Sequence, residues 1–334
     1  MHGQLAAPVA SATAKTGTFI TFDVPGSTCL PSFIRCTSPT AISASGAITG
    51  SYADEIGAMH AFLRAPDGTF TKFDVPGTTC PSFFSFCTLP TGINAAGAIT
   101  GEYCDAVSCH GFLRAPSGSF TTFDPPGSTF TSVTGINLAG AIIGYYFDAS
   151  FVTHGFLRVP GGTFATFDVP GADNGTIPSG INPAGVITGF YYDANFVQFG
   201  FLRASDGTFT TFDPPGSTFT QPFDINAAGA ITGLFCDDTA CHGFLRTPGG
   251  AFTTIDPPDS IFTEANAINP AGKITGTYQP GIHGFLRASD GTFTTFDPPG
   301  SIFTWNVPGI NPAGVITGSY IDADFLEHGF LRSP

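Results

Sequence analysis

The chain reads as an all-β protein, a seven-bladed propeller with four antiparallel strands per blade, on three observations. A pentapeptide close to His-Gly-Phe-Leu-Arg occurs seven times, with its phenylalanines spaced 50, 44, 45, 43, 41 and 45 residues apart. That period, roughly 45, is the length of a propeller blade and far from heptad or ankyrin-type spacing. Phe and Thr are abundant, the 43 Gly and 28 Pro punctuate the chain, and only 11% of residues are charged, a composition suited to short strands and turns. The chain also opens on an orphan strand, 18–23, and stops after Arg332 without the strand that follows every other pentapeptide. Pairing that orphan beside His328 to Arg332 completes the last blade and closes the ring, which removes exposed edges.

Each element of the unit follows from its residues. The first strand ends in Gly-Ile-Asn, and an Asn-x-x-Gly turn such as Asn94 to Gly97 leads into the second, Ile-Thr-Gly-x-Tyr; Asn bonds its own backbone and Gly accepts positive φ there. The third strand is the pentapeptide. Asp-Gly pairs such as Asp67-Gly68 mark the hairpin to the fourth, Phe-Thr-Thr-Phe-Asp. Residues 17–334 thus form one domain, preceded at 1–16 by a disordered tail or the remnant of a signal or tag, with no intact signal peptide. No apolar run reaches the roughly 18 to 20 residues that cross a bilayer as a helix.

The repeat resembles the HAF-type extracellular repeat of bacteria, named for a His-Ala-Phe signature that His60-Ala61-Phe62 reproduces and other copies carry as His-Gly-Phe. The resemblance covers nearly the whole chain and implies an exported protein, extracellular or periplasmic, without transferring an activity or catalytic residues. Cysteine usage agrees with export. The eight cysteines form close pairs, Cys29 with Cys36, Cys80 with Cys87, Cys104 with Cys109 and Cys236 with Cys241, the spacing of loop-stapling disulfides. Zinc is the rival, although it prefers Cys-x-x-Cys knuckles gathered in fours.

Strand order places the second-to-third connection and the blade-to-blade connection on one rim, together with all the cysteines. The same rim collects acid. Each fourth strand ends in an Asp (Asp23, Asp74, Asp124, Asp168, Asp213, Asp256, Asp297), and six second strands run into another, Asp54, Asp105, Asp148, Asp193, Asp237 and Asp322. With a net charge of -14, nucleic acid and anionic membranes are disfavoured as partners. The plain reading of these Asp is turn capping; calcium coordination and ligand hydrogen bonding are the alternatives, and no cofactor is otherwise implied. The repeated His is expected to pack beside Phe and bond a neighbouring Asp or carbonyl, and the repeated Arg to pair with a carboxylate or carbonyls.

A regular repeat offers seven copies of each environment, whereas catalysis needs unlike groups at one point. No nucleophile elbow, phosphate loop or metalloprotease helix is present, so no catalytic residue can be named. The expected function is non-catalytic binding of carbohydrate or a protein surface by the loop rim, through the six Asp above with Tyr52, Tyr103, Tyr146, Tyr191, Tyr320 and the sole tryptophan, Trp305. A polysaccharide-cleaving lyase or hydrolase and a structural part of an extracellular assembly are the alternatives.

Overall fold

A computed structural model describes residues 17–28, 36–79 and 87–334; the expected tail at 1–16 and the expected cysteine partners Cys29 and Cys80 lie outside the described residues. Among the described residues there are strands and turns and no helix. The 28 strands fall into units of four. Units one to six span 37–73, 88–123, 130–167, 176–212, 219–255 and 262–296, each pairing its strands antiparallel in sequence order. The seventh sheet pairs Ser301–Ile310, Ile316–Asp322 and Glu327–Ser333 in order, and its outer place is taken by Thr18–Phe22, whose Thr18 lies opposite Ser333 and Phe22 opposite Gly329. A single parallel bridge between Cys241 and Phe262 links the fifth and sixth units.

The repeated motif is explained by one buried ring. Phe62, Phe112, Phe156, Phe201, Phe244, Phe285 and Phe330 are all fully buried, each contributing about 1.5–3 kcal/mol of hydrophobic stabilisation. The glycine opposite each one is obligatory. A Cβ on Gly50 would collide with the Ser38 carbonyl and the Phe62 ring, which is why the second strand reads Ile-Thr-Gly. The cores lie between units: Phe123 of the second unit packs with Val133, Ile142 and Phe156 of the third. Phe22 of the N-terminal strand and Leu331 pack in the same way with Ile48 and Phe62 of the first.

Two polar devices repeat across these interfaces. The pentapeptide Arg was expected to pair with a carboxylate or backbone carbonyls, and carbonyls are reached by Arg64 and Arg246. In six of the seven units its guanidinium lies over the fourth-strand Phe of the preceding unit, as with Arg114 over Phe73 at 4.8 Å, Arg158 over Phe123 at 4.8 Å and Arg64 over Phe22 at 4.9 Å; before Arg287 the place is held by Ile255. Carbonyl contacts are long, 3.5 Å from Arg64 to Ala65. Stacking on a ring leaves the side chain flat enough to fit between sheets and is worth about 0.5–2 kcal/mol. On the tight-turn side, five of the six Asn that end the first strands donate Nδ2 to the carbonyl of the next unit's Asn. The steps are Asn94 to Asn137 (3.4 Å), Asn137 to Asn182 (3.1 Å), Asn182 to Asn226 (3.4 Å), Asn226 to Asn269 (3.3 Å) and Asn269 to Asn311 (3.2 Å). Unit one carries Ser43 at this place.

The first strands of all seven units line one channel of about 260 Å³. The first strand of the seventh unit is the longest at ten residues and slips register three times against its neighbour, and Trp305 lies within that irregular stretch.

Candidate ligand-binding face

The repeated His stands on the loop rim between the two Asp classes and joins them. His60 Nδ1 is 2.7 Å from Asp74 Oδ2 and its Nε2 is 3.2 Å from Asp54 Oδ2. The same pairing places His110 between Asp124 and Asp105, His154 between Asp168 and Asp148, and His242 between Asp256 and Asp237. His328 lies between Asp23 of the N-terminal strand and Asp322. The fourth-strand Asp also reaches the next unit, since Asp124 Oδ1 accepts from Thr131 Oγ1 at 2.6 Å and Asp297 Oδ1 from Thr304 Oγ1 at 2.6 Å. This network ties consecutive units together at the rim.

The second-strand Asp are committed as well. Asp148 Oδ1 accepts the N–H groups of Ser150 and Val152, Asp193 those of Asn195 and Val197, and Asp322 those of Asp324 and Leu326. Asp54 binds Ile56 and Ala58 N–H, Asp105 those of Val107 and Ser108, and Asp237 those of Thr239 and Ala240. The Val152 N–H foremost holds the Asp148 carboxyl below the ordinary range, and the Thr239 hydroxyl and N–H lower Asp237 to about 2. In each of these six Asp one oxygen caps its own loop, as the turn-capping reading expects, and in five units the other faces His. Among the described residues no group of three or more His, Cys, Asp or Glu is placed to hold a metal ion.

The tyrosines lie beneath this network. Tyr52, Tyr146 and Tyr320 are buried, and their rings, like that of Tyr103, sit 5.2–5.5 Å from the His rings. Tyr191 stacks at 5.5 Å on Phe199, the residue that replaces His in the fourth unit. Sugar stacking on the buried rings is sterically closed, so their place in a ligand site is corrected to support of the His layer. Where Phe199 stands, Asp213 lacks an imidazole, and burial raises its carboxyl above the ordinary value.

Disulfides join Cys104 to Cys109 and Cys236 to Cys241, and Cys36 and Cys87 are disulfide-bonded and buried. Zinc at these cysteines is thereby excluded.

Unlike residues converge elsewhere, at the loop-side mouth of the channel. Trp305 is 48% exposed and forms a wall shared by two clefts. One, of about 280 Å³, is lined by Glu264, Thr277, Tyr278 and Gln279; the other, of about 290 Å³, by Ser38, Ser51, Leu89 and Asn306. Two further acids stand near the inner strands and were not singled out from sequence. Glu102 is raised by burial, against hydrogen bonds from Ser132 and the Val133 N–H. Asp224, in the channel wall, is raised by burial although it accepts the N–H of Ile225 and, across the interface, of Ile268. The signal was legible as departure from the repeat: Glu102 interrupts Ile-Thr-Gly-x-Tyr with a charge, and Asp224 stands where Gly precedes Ile-Asn in most units.

No protein-family model and no curated protein matches the sequence. Among solved structures, the β-propeller domain of the Trilobed protease from Pyrococcus furiosus matches with a TM-score of 0.62 and 12% identity, covering 90% of this chain and 94% of that one. The virginiamycin B lyase from Staphylococcus aureus matches with a TM-score of 0.57 and 14% identity over 95% and 99% of the two chains. A streptogramin B lyase gives 0.56 and 15% over 94% and 97%. At such identities the likeness speaks for the fold alone: the chain is similar in architecture to β-propellers.

Proposed function

We propose that the chain is a seven-bladed propeller closed by its N-terminal strand, exported to the bacterial cell exterior or periplasm, that binds carbohydrate without cleaving it at the loop-side mouth of its channel. The observation that carries this reading is Trp305, half-exposed between two clefts whose other walls mix hydroxyls, amides and one carboxylate with the apolar Phe262, Ile282, Leu89, Pro90 and Pro308. An indole face covers the apolar face of a sugar ring, while Ser38, Ser51, Asn306, Thr277, Gln279 and Glu264 are placed to bond hydroxyls. Pairing of Thr18–Phe22 with the last strand supports closure. The disulfides and the resemblance to the HAF-type repeat support export, and no helix among the described residues is long and apolar enough to cross a membrane.

Because Trp305 is the sole tryptophan, intrinsic fluorescence reads this site directly. Titration with neutral oligosaccharides should shift the emission, and chromatography of incubated polysaccharides should find them intact. Trp305→Ala should abolish binding to the same glycans on an array with an unchanged unfolding midpoint. Shortened polysaccharide, lost on Glu264→Gln, would replace the binding reading with the enzymatic one; neither binding nor cleavage would favour an assembly role.

A further inference from the structure

The tips of the second-to-third loops depart from the repeat in a way the sugar site does not use. Five consecutive units around the loop face, the seventh and the first to fourth, end in a large exposed apolar residue. These are Phe325 (62% exposed), Ile56 (79%), Val107 (90%), Phe151 (82%) and Phe196 (73%). The fifth and sixth units present Asp238-Thr239 and Gly281 instead. The apolar tips therefore form an arc, not a symmetric crown.

Three of the tips are held in strained backbone. Phe151, Phe196 and Phe325 adopt φ of 64°, 60° and 63°, the left-handed region in which unit one places Gly57 at 82°. Bulky residues are outliers there and Gly is not. The turn is the same in each case: Phe151 N donates to the Asp148 carbonyl, Phe196 N to Asp193, Phe325 N to Asp322 and Gly57 N to Asp54. A ring is thus kept at the tip of a rigid turn where the chain's own alternative, glycine, is unstrained. Strain and exposed apolar surface together point to contact with another molecule, and a turn whose backbone is already fixed loses little freedom on being covered.

We infer that this arc docks a cationic, apolar-bearing polypeptide segment. The partner's charge follows from what surrounds the rings. Each tip stands on a carboxylate, and backbone N–H groups hold Asp148 and Asp193 in the ionised form, as they do Asp322 against the opposing effect of burial. Asp324 and Glu55 lie in the same loops, and loops 53–59, 104–109, 147–153, 192–198 and 321–327 contain no Lys or Arg. Such a surface repels anionic lipid and attracts a basic chain whose apolar side chains reach the rings. The docking arc is independent of the Trp305 clefts.

The test uses the full chain and a labelled amphipathic Lys/Leu peptide, with a Glu/Leu peptide of equal length and phosphatidylcholine and phosphatidylglycerol vesicles alongside. Fluorescence anisotropy should show binding of the Lys/Leu peptide only. The triple variant Phe151→Gly, Phe196→Gly, Phe325→Gly keeps every charge and relieves the strain, so its unfolding midpoint should not fall while its Kd weakens about tenfold or more. A second triple variant, each Phe→Asn, keeps a side chain that tolerates the left-handed region and should weaken binding equally. Binding unchanged in both variants, equal binding of the Glu/Leu peptide, adsorption to either vesicle in place of the peptide, or no binding at all overturns the inference. The Trp305 fluorescence response to glycans should survive in the variants, which separates this outcome from failure of the carbohydrate reading.

Discussion

The ladder of asparagines makes a quantitative claim about what holds one unit to the next. Asn137 is almost fully buried. Its Oδ1 accepts the Ala141 N–H at 2.9 Å, and its Nδ2 donates to the Asn182 carbonyl of the next unit at 3.1 Å. Asn137→Ala removes both bonds at once: the Ala141 N–H is left without its partner, at about 1–3 kcal/mol, while the Asn182 carbonyl keeps the Gly185 N–H at 3.0 Å and loses only the bridge, worth about 1 kcal/mol, so a loss of about 2–4 kcal/mol is expected. Asn137→Ser copies unit one, where Ser43 Oγ accepts the Ala47 N–H at 3.0 Å. It should retain the turn bond, lose only the bridge, and cost about half as much. Asn137→Asp also keeps the acceptor but turns a carboxylate oxygen toward the Asn182 carbonyl, so it should be the worst of the three near neutral pH and recover as the medium is acidified. Guanidinium unfolding followed by circular dichroism measures all three through the midpoint at constant slope. No loss for Ser, or a loss under about 0.5 kcal/mol for Ala, would refute the idea that the bridge between units carries the energy. The converse change, Ser43→Asn, should extend the ladder into unit one and raise the midpoint.

Other expectations follow from the rim and the core. His60 is raised above 6.5 by its hydrogen bond to Asp74 and that to Asp54; burial opposes the shift at His328, where Asp23 and Asp322 outweigh it. Their stabilisation is therefore complete below about pH 6.5 and fades as pH rises through the folded values, and a double variant with Phe at both positions should flatten that limb of a melting profile. Phe199→His should give Asp213 the partner it lacks and lower its carboxyl, read by NMR titration of the carboxyl carbon; an unmoved Asp213 would show that the imidazole does not set it. Phe156→Ala should destabilise by about 3–5 kcal/mol in denaturant. Replacing Cys104 and Cys109 by Ser should lower stability by about 2 kcal/mol, the entropy of opening so short a loop; a larger loss would mean that the staple also supports the neighbouring rim.

The fold was legible because its determinants are local and repeated. Gly50 and its counterparts, the Asn-x-x-Gly turns and the fully buried pentapeptide Phe of each unit are readable wherever they recur. Placement of the orphan strand was legible too, since only the last unit lacked a fourth strand. The rim was half legible: His beside Asp was expected, but the meeting of both Asp classes on one imidazole depends on a fourth strand and a second strand converging 14 residues and 6 residues away in sequence. For the Arg a carbonyl partner was legible, but its stacking was not, because the ring it covers, such as Phe73 or Phe123, comes from the preceding unit. Tyr52 and its counterparts were offered to a ligand because sequence gives residue type and not which side of the His layer a ring occupies.

Period, composition and the Gly, Asn and Phe positions by themselves determined an all-β chain of four-stranded units and the rim on which loops and acid gather, because hydrogen bonding and steric fit within a unit involve residues a few positions apart. Tertiary structure alone decided which polar groups are consumed. Whether a carboxylate serves a ligand or an imidazole, and whether an aromatic ring faces solvent like Trp305 or lies covered like Tyr320, depends on the packing of one unit against the next, and that packing is set by distances no spacing in the chain records.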